Sequence, residues 1–352
     1  MEQRSYQREV RTVDPAWNLG ELMARIAKAL VSDGPALALT EIGATSVSQK
    51  TALIVRTTGS SGVPKEIALS ASALLTSARA SNKYLEAEFG ETWSLLLPLT
   101  HIAGINVLIR SLELGTTPTN LLGYEGAFPK VDYTSIVPTQ LYRALNGDQN
   151  LLQHLQSAKA VLVGGAALNG ALRNQAEAQG IHIIETYGST ETSGGCVYDG
   201  VPLEGVEVAI GDAGEIAIKG KVLAEDLTDG DGWYTTSDAG RIVEGKLIVD
   251  GRVDEIIITG GENVSLTAID RVLAQEFPGI QMAAFAVPHP EWGHALQLAI
   301  VGGDESLHNL IQEALVRELG NASKIKNFHH LQELPLIGIG KIDRAALGRL
   351  VQ

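Results

Sequence analysis

Residues 57 to 65 read Thr-Thr-Gly-Ser-Ser-Gly-Val-Pro-Lys, directly after the apolar run Ala-Leu-Ile-Val-Arg. Hydroxyls, glycines and one lysine packed this closely suit a polyphosphate. Backbone N–H groups and hydroxyls can wrap the anion, glycine lets the chain come near, and Lys65 adds a point charge. The expected contacts are Thr57, Thr58, Gly59, Ser60, Ser61 and Gly62 together with Lys65. This is not a Walker A loop, because Pro64 rather than glycine precedes Lys65. Any anion must be held locally: 27 basic against 41 acidic residues leave a net charge of −14. Such a chain has no bulk positive field for nucleic acid or an anionic membrane.

Other chemistries are thinly represented. Cys196 is the one cysteine, so neither an intrachain disulfide nor a cysteine-based metal centre can form, and it reads as a small packed residue. His329 and His330 are adjacent but lack a third ligand, and they read as a surface turn. Glycine is in excess, 38 of 352 residues, against an average near 7%, which points to many tight backbone positions. The first fifteen residues have no apolar core of a signal peptide, and no apolar run nears the ~20 residues of a membrane span. The expectation is a soluble cytoplasmic protein.

A length of 352 residues predicts roughly two domains. Up to about residue 200, amphipathic segments such as NLGELMARIAKAL and ALSASALLTSARASNKYLEAEF alternate with the strand-length runs ALIVRTT, SLLLPL, TSIVPT, KAVLVGG and IHIIETYG. Buried strands alternating with helices predict parallel βαβ units in a doubly wound sheet, with functional loops beyond the carboxyl ends of the strands. Between about 201 and 250 the runs VEVAIG, GEIAIKG, GRIVEG and KLIVDG predict a β-rich subdomain. Mixed α/β texture then resumes, with a boundary at 252 to 254. The division is an N-terminal domain over 1–251, a hinge at 252–254 and a C-terminal domain over 255–352.

Five further segments follow the phosphate loop in order: YGSTET at 187–192, GEIAIKG at 214–220, GWYTTSDAG at 232–240, GRVD at 251–254 and LPLIGIGKIDR at 334–344. Across nearly the whole chain they resemble the motifs of the adenylate-forming superfamily of acyl- and aryl-CoA synthetases, luciferases and adenylation domains. The resemblance implies that superfamily's α/β fold, with a truncated N-terminal α/β domain, a β-rich subdomain and a small mobile C-terminal α+β domain. It also implies ATP, Mg²⁺ and CoA as substrates and ion, with no tightly bound prosthetic group. Tyr187 would stack on adenine opposite Gly165 and Ala166, between Thr186 and Gly188. Thr190 and Glu191 would bind phosphate and Mg²⁺, and Asp238 and Arg252 the ribose or phosphate. Lys341 would insert between the carboxylate and the α-phosphate during adenylation. Asp254 would be the hinge, and Gly260 and Gly261 would line the thiol tunnel. Ile337, Ile339, Leu266, Ala268 and Ser237 depart from the common pattern, mostly beside the second half-reaction.

The phosphate loop begins at residue 57, early for this superfamily. The expectation is that most of one N-terminal subdomain is missing and that the substrate is compact. The segment His101-Ile-Ala-Gly and the LPLIGIGKIDR ending resemble short ligases for an aromatic keto acid carrying two carboxylates. His101 would gate or bind the acid, Ser193, Gly194 and Gly195 would floor the pocket, and Arg110 would meet the second carboxylate. Three alternatives stay open: a ligase for a simpler aryl acid, a domain loading a carrier protein, and a nucleotide-binding scaffold without chemistry. A homodimer is also left open.

Overall fold

The computed structural model describes residues 7 to 58, 64 to 337 and 341 to 351. Its centre is a seven-stranded sheet ordered Val201–Pro202, Gly194–Tyr198, Ile183–Ser189, Ala160–Val163, Tyr133–Ile136, Trp93–Leu95, Thr119–Asn120. From Ile183–Ser189 onward the strands are parallel. Both faces are covered, as parallel sheets require, which is why YTSI and AVLV are buried at every position. One face packs on Leu141, Leu155 and Ile181. The other packs on Ile105, Leu108 and Ile109 of the helix Ile102–Glu113. The doubly wound sheet is therefore present.

A second sheet was not anticipated. The strands Ser46–Ser48, Gln7–Thr12, Ala36–Ala38, Thr51–Thr58 and Pro64–Ser70 pair side by side in that order. Its first strand is the charged stretch Gln-Arg-Glu-Val-Arg-Thr, which carries no apolar alternation to betray it. Arg8 explains how such a strand is held. It is only 4% exposed, and its guanidinium donates to Gly34 O at 2.6 Å, Thr51 O at 2.7 Å and Ala29 O at 2.9 Å. Three carbonyls that would otherwise be orphaned are satisfied by one side chain. The helix Leu19–Leu30 starts on a capping box, with Asn18 and Glu21 bonding each other's backbone N–H at 3.0 Å.

The β-rich stretch forms a four-stranded antiparallel sheet of Val206–Ile210, Glu215–Gly220, Trp233–Val243 and Lys246–Arg252. Two details differ from expectation. Val201–Pro202 joins the large sheet instead, and GWYTTSDAG and GRIVEG are parts of one long strand with an irregularity between Ala239 and Gly240.

After Arg252 a single 3₁₀ turn, Val253–Glu255, leads into a further five-stranded sheet. Ile256–Thr259, Glu262–Ser265, Gln281–His289, Gly293–Val301 and Asn327–Leu331 carry the helices Leu266–Glu276 and Leu307–Leu319. Ile269, Leu273, Leu296, Leu298, Ile311 and Leu315 form a core of their own here. Polar contacts with the preceding body include Asn169, which donates to Ala274 O at 3.1 Å, and Arg271, 3.7 Å from Asp250. His329 and His330 are not in a turn but on the strand Asn327–Leu331. His329 meets Gln297 at 2.6 Å and His330 meets His308 at 3.0 Å. Among the described residues no helix is long and apolar enough to cross a membrane.

His154 is fully enclosed beneath the large sheet, with Nδ1 2.9 Å from Pro129 O and Nε2 2.8 Å from Ser94 Oγ. A carbonyl can only accept, so Nδ1 carries the proton. Burial pulls this imidazole below its ordinary value, as it does for His101 and His329. The unfolded chain then takes up protons before the folded one, so stability is complete above about pH 6.5 and is lost as pH falls below it. Urea unfolding midpoints should drop between pH 7.5 and 5.5, and His154→Gln, less stable at pH 7.5, should show a shallower decline.

Candidate active site

His101, Gly165, Ala166, Tyr187, Thr190 and Glu191 lie at or beyond the carboxyl ends of the parallel strands, whereas Thr57, Thr58, Lys65, Asp238 and Arg252 lie on other sheets. The centre of the first group is the turn between Ile183–Ser189 and the antiparallel Gly194–Tyr198. The register slips between Tyr187 and Gly188, where the chain folds back on itself. A Cβ on Gly188 would sit 2.1 Å from Gly194 O, and one on Gly194 would sit 2.1 Å from Asn106 Nδ2. Only glycine fits either place. Thr192 ties the turn, its hydroxyl accepting from Ser189 N–H at 2.8 Å and donating to Gly194 O at 2.7 Å. Ser193 has φ 55. Its hydroxyl is used by Val222 O at 2.8 Å, and its carbonyl accepts from Asn106 at 2.8 Å and Ser77 at 3.2 Å. Ser193 is thus wholly enclosed, with its hydroxyl donated to the protein itself.

This turn presents Thr190 and Glu191 half-exposed. Glu191 O accepts from Ala224 N–H at 2.8 Å, and the next residue, Glu225, donates its N–H to Ala68 O at 3.2 Å. Glu225 also accepts from Thr51 at 3.1 Å. Ala68 and Thr51 belong to the hairpin Thr51–Thr58 and Pro64–Ser70, so one short segment binds the Glu191 turn to the hairpin. At the far end of that hairpin Thr57 pairs with Lys65 and Thr58 with Pro64. Gly59, Ser60, Ser61 and Gly62 lie outside the described residues.

Tyr187 stands at the edge of the turn, with its hydroxyl donating to Asp238 Oδ2 at 2.9 Å. Asp238 is paired across strands with Arg252, whose Nη1 lies 3.7 Å from Oδ1. Burial and the Asp238 charge hold the Tyr187 hydroxyl far above the ordinary tyrosine value. Burial pushes Tyr234 up to about 12, with the charges of Glu191 and Asp238 adding to it. Glu191, Asp238 and Tyr234 therefore share one electrostatic neighbourhood. The loop after Ala160–Val163 adjoins it: a Cβ on Gly164 would meet Thr186 Oγ1 at 2.2 Å, and Thr186 donates to Val163 O at 3.3 Å. Gly165 (φ 82) and exposed Ala166 follow.

The helix Ile102–Glu113 borders the same turn. Its first turn is pressed onto the preceding loop, since a Cβ on Gly104 would lie 2.3 Å from Pro98 O. His101 occupies the N-cap without capping through its side chain, and burial keeps its imidazole neutral at pH 7. One turn apart, Asn106 and Arg110 face inward. Arg110 is 5% exposed, so it does not face solvent. Nη1 donates to Ser135 and Nη2 to the Tyr198 hydroxyl, each at 3.3 Å, and the guanidinium lies 5.0 Å from the Trp93 ring centre. Among the described residues no carboxylate pairs with it. Its Nε–H has no acceptor, and Asn106 Oδ1 and Ser111 Oγ nearby are likewise unsatisfied. A buried cation among unsatisfied polar atoms is costly unless an anion completes it.

A divalent ion fits the Glu191 turn on chemical grounds. Among the described residues Glu191 makes no side-chain hydrogen bond or ion pair, and no three metal-ligating side chains cluster anywhere. Mg²⁺ commonly takes one or two carboxylates and completes its shell with water and phosphate. Lys341 opens a two-residue strand whose backbone pairs with Ile337. Asp254 is in the 3₁₀ turn. Gly260 and Gly261, at φ 60 and 85, form the tight turn between Ile256–Thr259 and Glu262–Ser265, a conformation that demands glycine by itself. Cys196 is fully buried in the core, which pushes its thiol up to about 12. Sequence reasoning missed Asn106, Thr192, Ser135, Tyr198 and Glu225. Asn106 alone carried a signal, its spacing of one helical turn from Arg110.

Sheets, turn and helix define a nucleotide-activating α/β enzyme, and residues 9 to 227 match the AMP-binding enzyme family, to which the chain belongs. The particular likeness is narrower. The chain is 36% identical over 329 residues to the probable 2-succinylbenzoate–CoA ligase of Mycobacterium tuberculosis, covering 86% of this chain and 85% of that one. It is 33% identical to the 2-succinylbenzoate–CoA ligase of Escherichia coli over 257 residues, 68% of this chain and 56% of that one. The solved structure of wild-type E. coli MenE with a bound phenylether-linked analogue of OSB-AMS superposes with a TM-score of 0.68 at 25% identity, covering 96% of this chain and 81% of that one. The amide bond synthetase McbA of Marinactinospora thermotolerans shares the fold, with a TM-score of 0.76 at 20% identity over 97% of this chain and 80% of that one.

The close approach at Gly188 gives a direct test. Gly188→Ala should lower the unfolding free energy by about 2–3 kcal/mol. Gly43→Ala, where nothing lies within 4 Å, should change it by less than about 0.5 kcal/mol. Urea titrations compare the two.

Proposed function

We infer that this chain joins 2-succinylbenzoate to CoA at the expense of ATP, releasing AMP and pyrophosphate, a step of menaquinone biosynthesis carried out in the cytoplasm. The observation that carries the choice of acid is Arg110, a buried guanidinium without a carboxylate partner among the described residues. An acid with one carboxylate would spend it on activation and leave Arg110 uncompensated. 2-Succinylbenzoate brings a second, and relatives that match most of the chain are ligases of that acid.

In the first half-reaction the carboxylate to be activated attacks the α-phosphorus. A new P–O bond forms and the bond to the pyrophosphate oxygen breaks. A carboxylate is already a nucleophile at neutral pH, so no general base is needed. The work is positional and electrostatic. The loop around Thr57, Thr58 and Lys65 holds the phosphates, Tyr187 and the 164–166 loop clasp adenine, and Asp238 and Arg252 take the ribose. Thr190 and Glu191 hold phosphate and would hold Mg²⁺, which supplies charge neutralisation at the phosphates. Lys341 offsets the charge that builds on the α-phosphoryl oxygens.

In the second half-reaction the CoA thiolate attacks the acyl carbonyl and AMP leaves with the C–O electron pair. For this, the C-terminal domain turns about Asp254 and carries Lys341 away. The turn at Gly260 and Gly261 then borders the thiol. The separate core of that domain and its polar contact with the preceding body favour such a motion.

Lys341→Ala should lower the rate of 2-succinylbenzoate-dependent ATP–pyrophosphate exchange by about 10²–10³, yet still convert preformed acyl-adenylate to thioester. Arg110→Met should raise KM for 2-succinylbenzoate by about tenfold or more with KM for ATP unchanged. Steady-state kinetics with each substrate varied separate the outcomes. Equal loss for both substrates would remove Arg110 from acid recognition.

A further inference from the structure

The hydroxyl of Tyr187 is the least expected group in the nucleotide pocket. Stacking on adenine uses only the face of the ring, and a phenylalanine would serve. Here the hydroxyl lies 2.9 Å from Asp238 Oδ2 and 3.5 Å from Thr236 Oγ1. The Asp238 backbone N–H is fixed as well, donating to Thr236 Oγ1 at 3.1 Å. On its other side Oδ1 is 3.7 Å from Arg252. The strand holding Asp238 pairs directly with the one that ends at Arg252, whereas Tyr187 comes from a different sheet. The hydrogen bond from Tyr187 to Asp238 is thus a link between the adenine wall and the ribose wall.

We propose that Tyr187 is a positioning residue for ribose recognition: its hydroxyl holds the Asp238 carboxylate in the orientation that accepts the ribose hydroxyls. The proposal rests on the nucleotide site assigned above and adds a function to the hydroxyl that stacking does not need. A carboxylate bound through one oxygen has lost a degree of freedom before the nucleotide arrives, so less ordering remains at binding. The charge on Asp238 strengthens the bond, because hydrogen bonds to ionised acceptors exceed neutral ones. Tyrosine also suits the place because it keeps its proton. Burial and the neighbouring carboxylate both oppose ionisation of the hydroxyl, which therefore remains a donor across the physiological range.

The consequence is specific to the sugar. Removing the Tyr187 hydroxyl should weaken nucleotides that offer ribose hydroxyls to Asp238 and spare those that do not. The measurement is ATP–pyrophosphate exchange with ATP, 2′-deoxyATP and 3′-deoxyATP on the wild-type chain, Tyr187→Phe and Asp238→Asn. For Tyr187→Phe, KM for ATP should rise about tenfold, the size of a hydrogen bond to a charged group. kcat and KM for the acid should stay within about twofold. KM for whichever deoxynucleotide the wild type penalises should change little, so that the penalty shrinks in the variant. An equal rise for ATP and both deoxynucleotides, or no rise at all, would overturn the proposal. A structural defect would show as a lower urea midpoint and a fall in kcat with every nucleotide. Asp238→Asn separates the two levels. If it leaves nucleotide discrimination intact, the ribose assignment fails. If it abolishes discrimination while Tyr187→Phe does nothing, only the role of Tyr187 fails.

Discussion

The close approach of two backbones at Gly188 and Gly194 is the constraint on which the rest of the site depends. A parallel sheet is extended there by an antiparallel strand, so near that a Cβ on Gly188 would meet Gly194 O, while one on Gly194 would meet the Asn106 side chain. The price of that geometry is met locally by Thr192, whose single hydroxyl serves the N–H of Ser189 and the carbonyl of Gly194. Two neighbouring segments are bound to main-chain carbonyls of the turn. Asn106 brings in the helix that carries Arg110, and Ala224 brings in the segment that grips the hairpin through Glu225. Backbone contacts are insensitive to side-chain drift, so the turn can hold several loops in register at once.

The same arrangement reconciles an acidic protein with anionic substrates. The net charge of −14 offers no long-range attraction, and steering by the whole field is not available. Positive potential is instead concentrated at Arg252 beside Asp238 and at Arg110 in the interior. Interior placement multiplies the value of each cation, since the local dielectric is low. It also sets a demand. The guanidinium of Arg110 is surrounded among the described residues by neutral partners, Ser135, Tyr198 and Trp93, and under the proposed function a carboxylate of the substrate would meet that demand. On that proposal, acid selectivity and the cost of burying an arginine would be two aspects of one feature.

Much of this could be read from the residues. The alternation of apolar runs with amphipathic segments marked the large sheet, because parallel strands buried on both faces leave continuous hydrophobic signatures. Tyr187, Asp238 and Arg252, proposed for the nucleotide, stand out through their ordered motifs, and the structure brings them within hydrogen-bond or ion-pair reach. What stayed hidden has physical causes. The strand Gln7–Thr12 is held by the guanidinium of Arg8 on backbone carbonyls, a contact that no periodicity records. Ser193 sits beside a motif that invites a binding role, yet its hydroxyl donates to Val222 O. The burial of Arg110 depends on which face of its helix turns inward. Asn106 and Tyr198 are ordinary residues until tertiary contacts place them beside it.

The central claim is that an interior arginine with no carboxylate partner among the described residues selects an acid with two carboxylates. It is tested most directly by supplying the enzyme with ATP, CoA and an equimolar mixture of 2-succinylbenzoate, benzoate and 4-hydroxybenzoate, and weighing the acyl-CoA products by mass spectrometry. The account predicts 2-succinylbenzoyl-CoA as the dominant product, by about a hundredfold or more, since mono-acids leave a buried charge uncompensated. Benzoyl-CoA or 4-hydroxybenzoyl-CoA in equal or greater yield would contradict it.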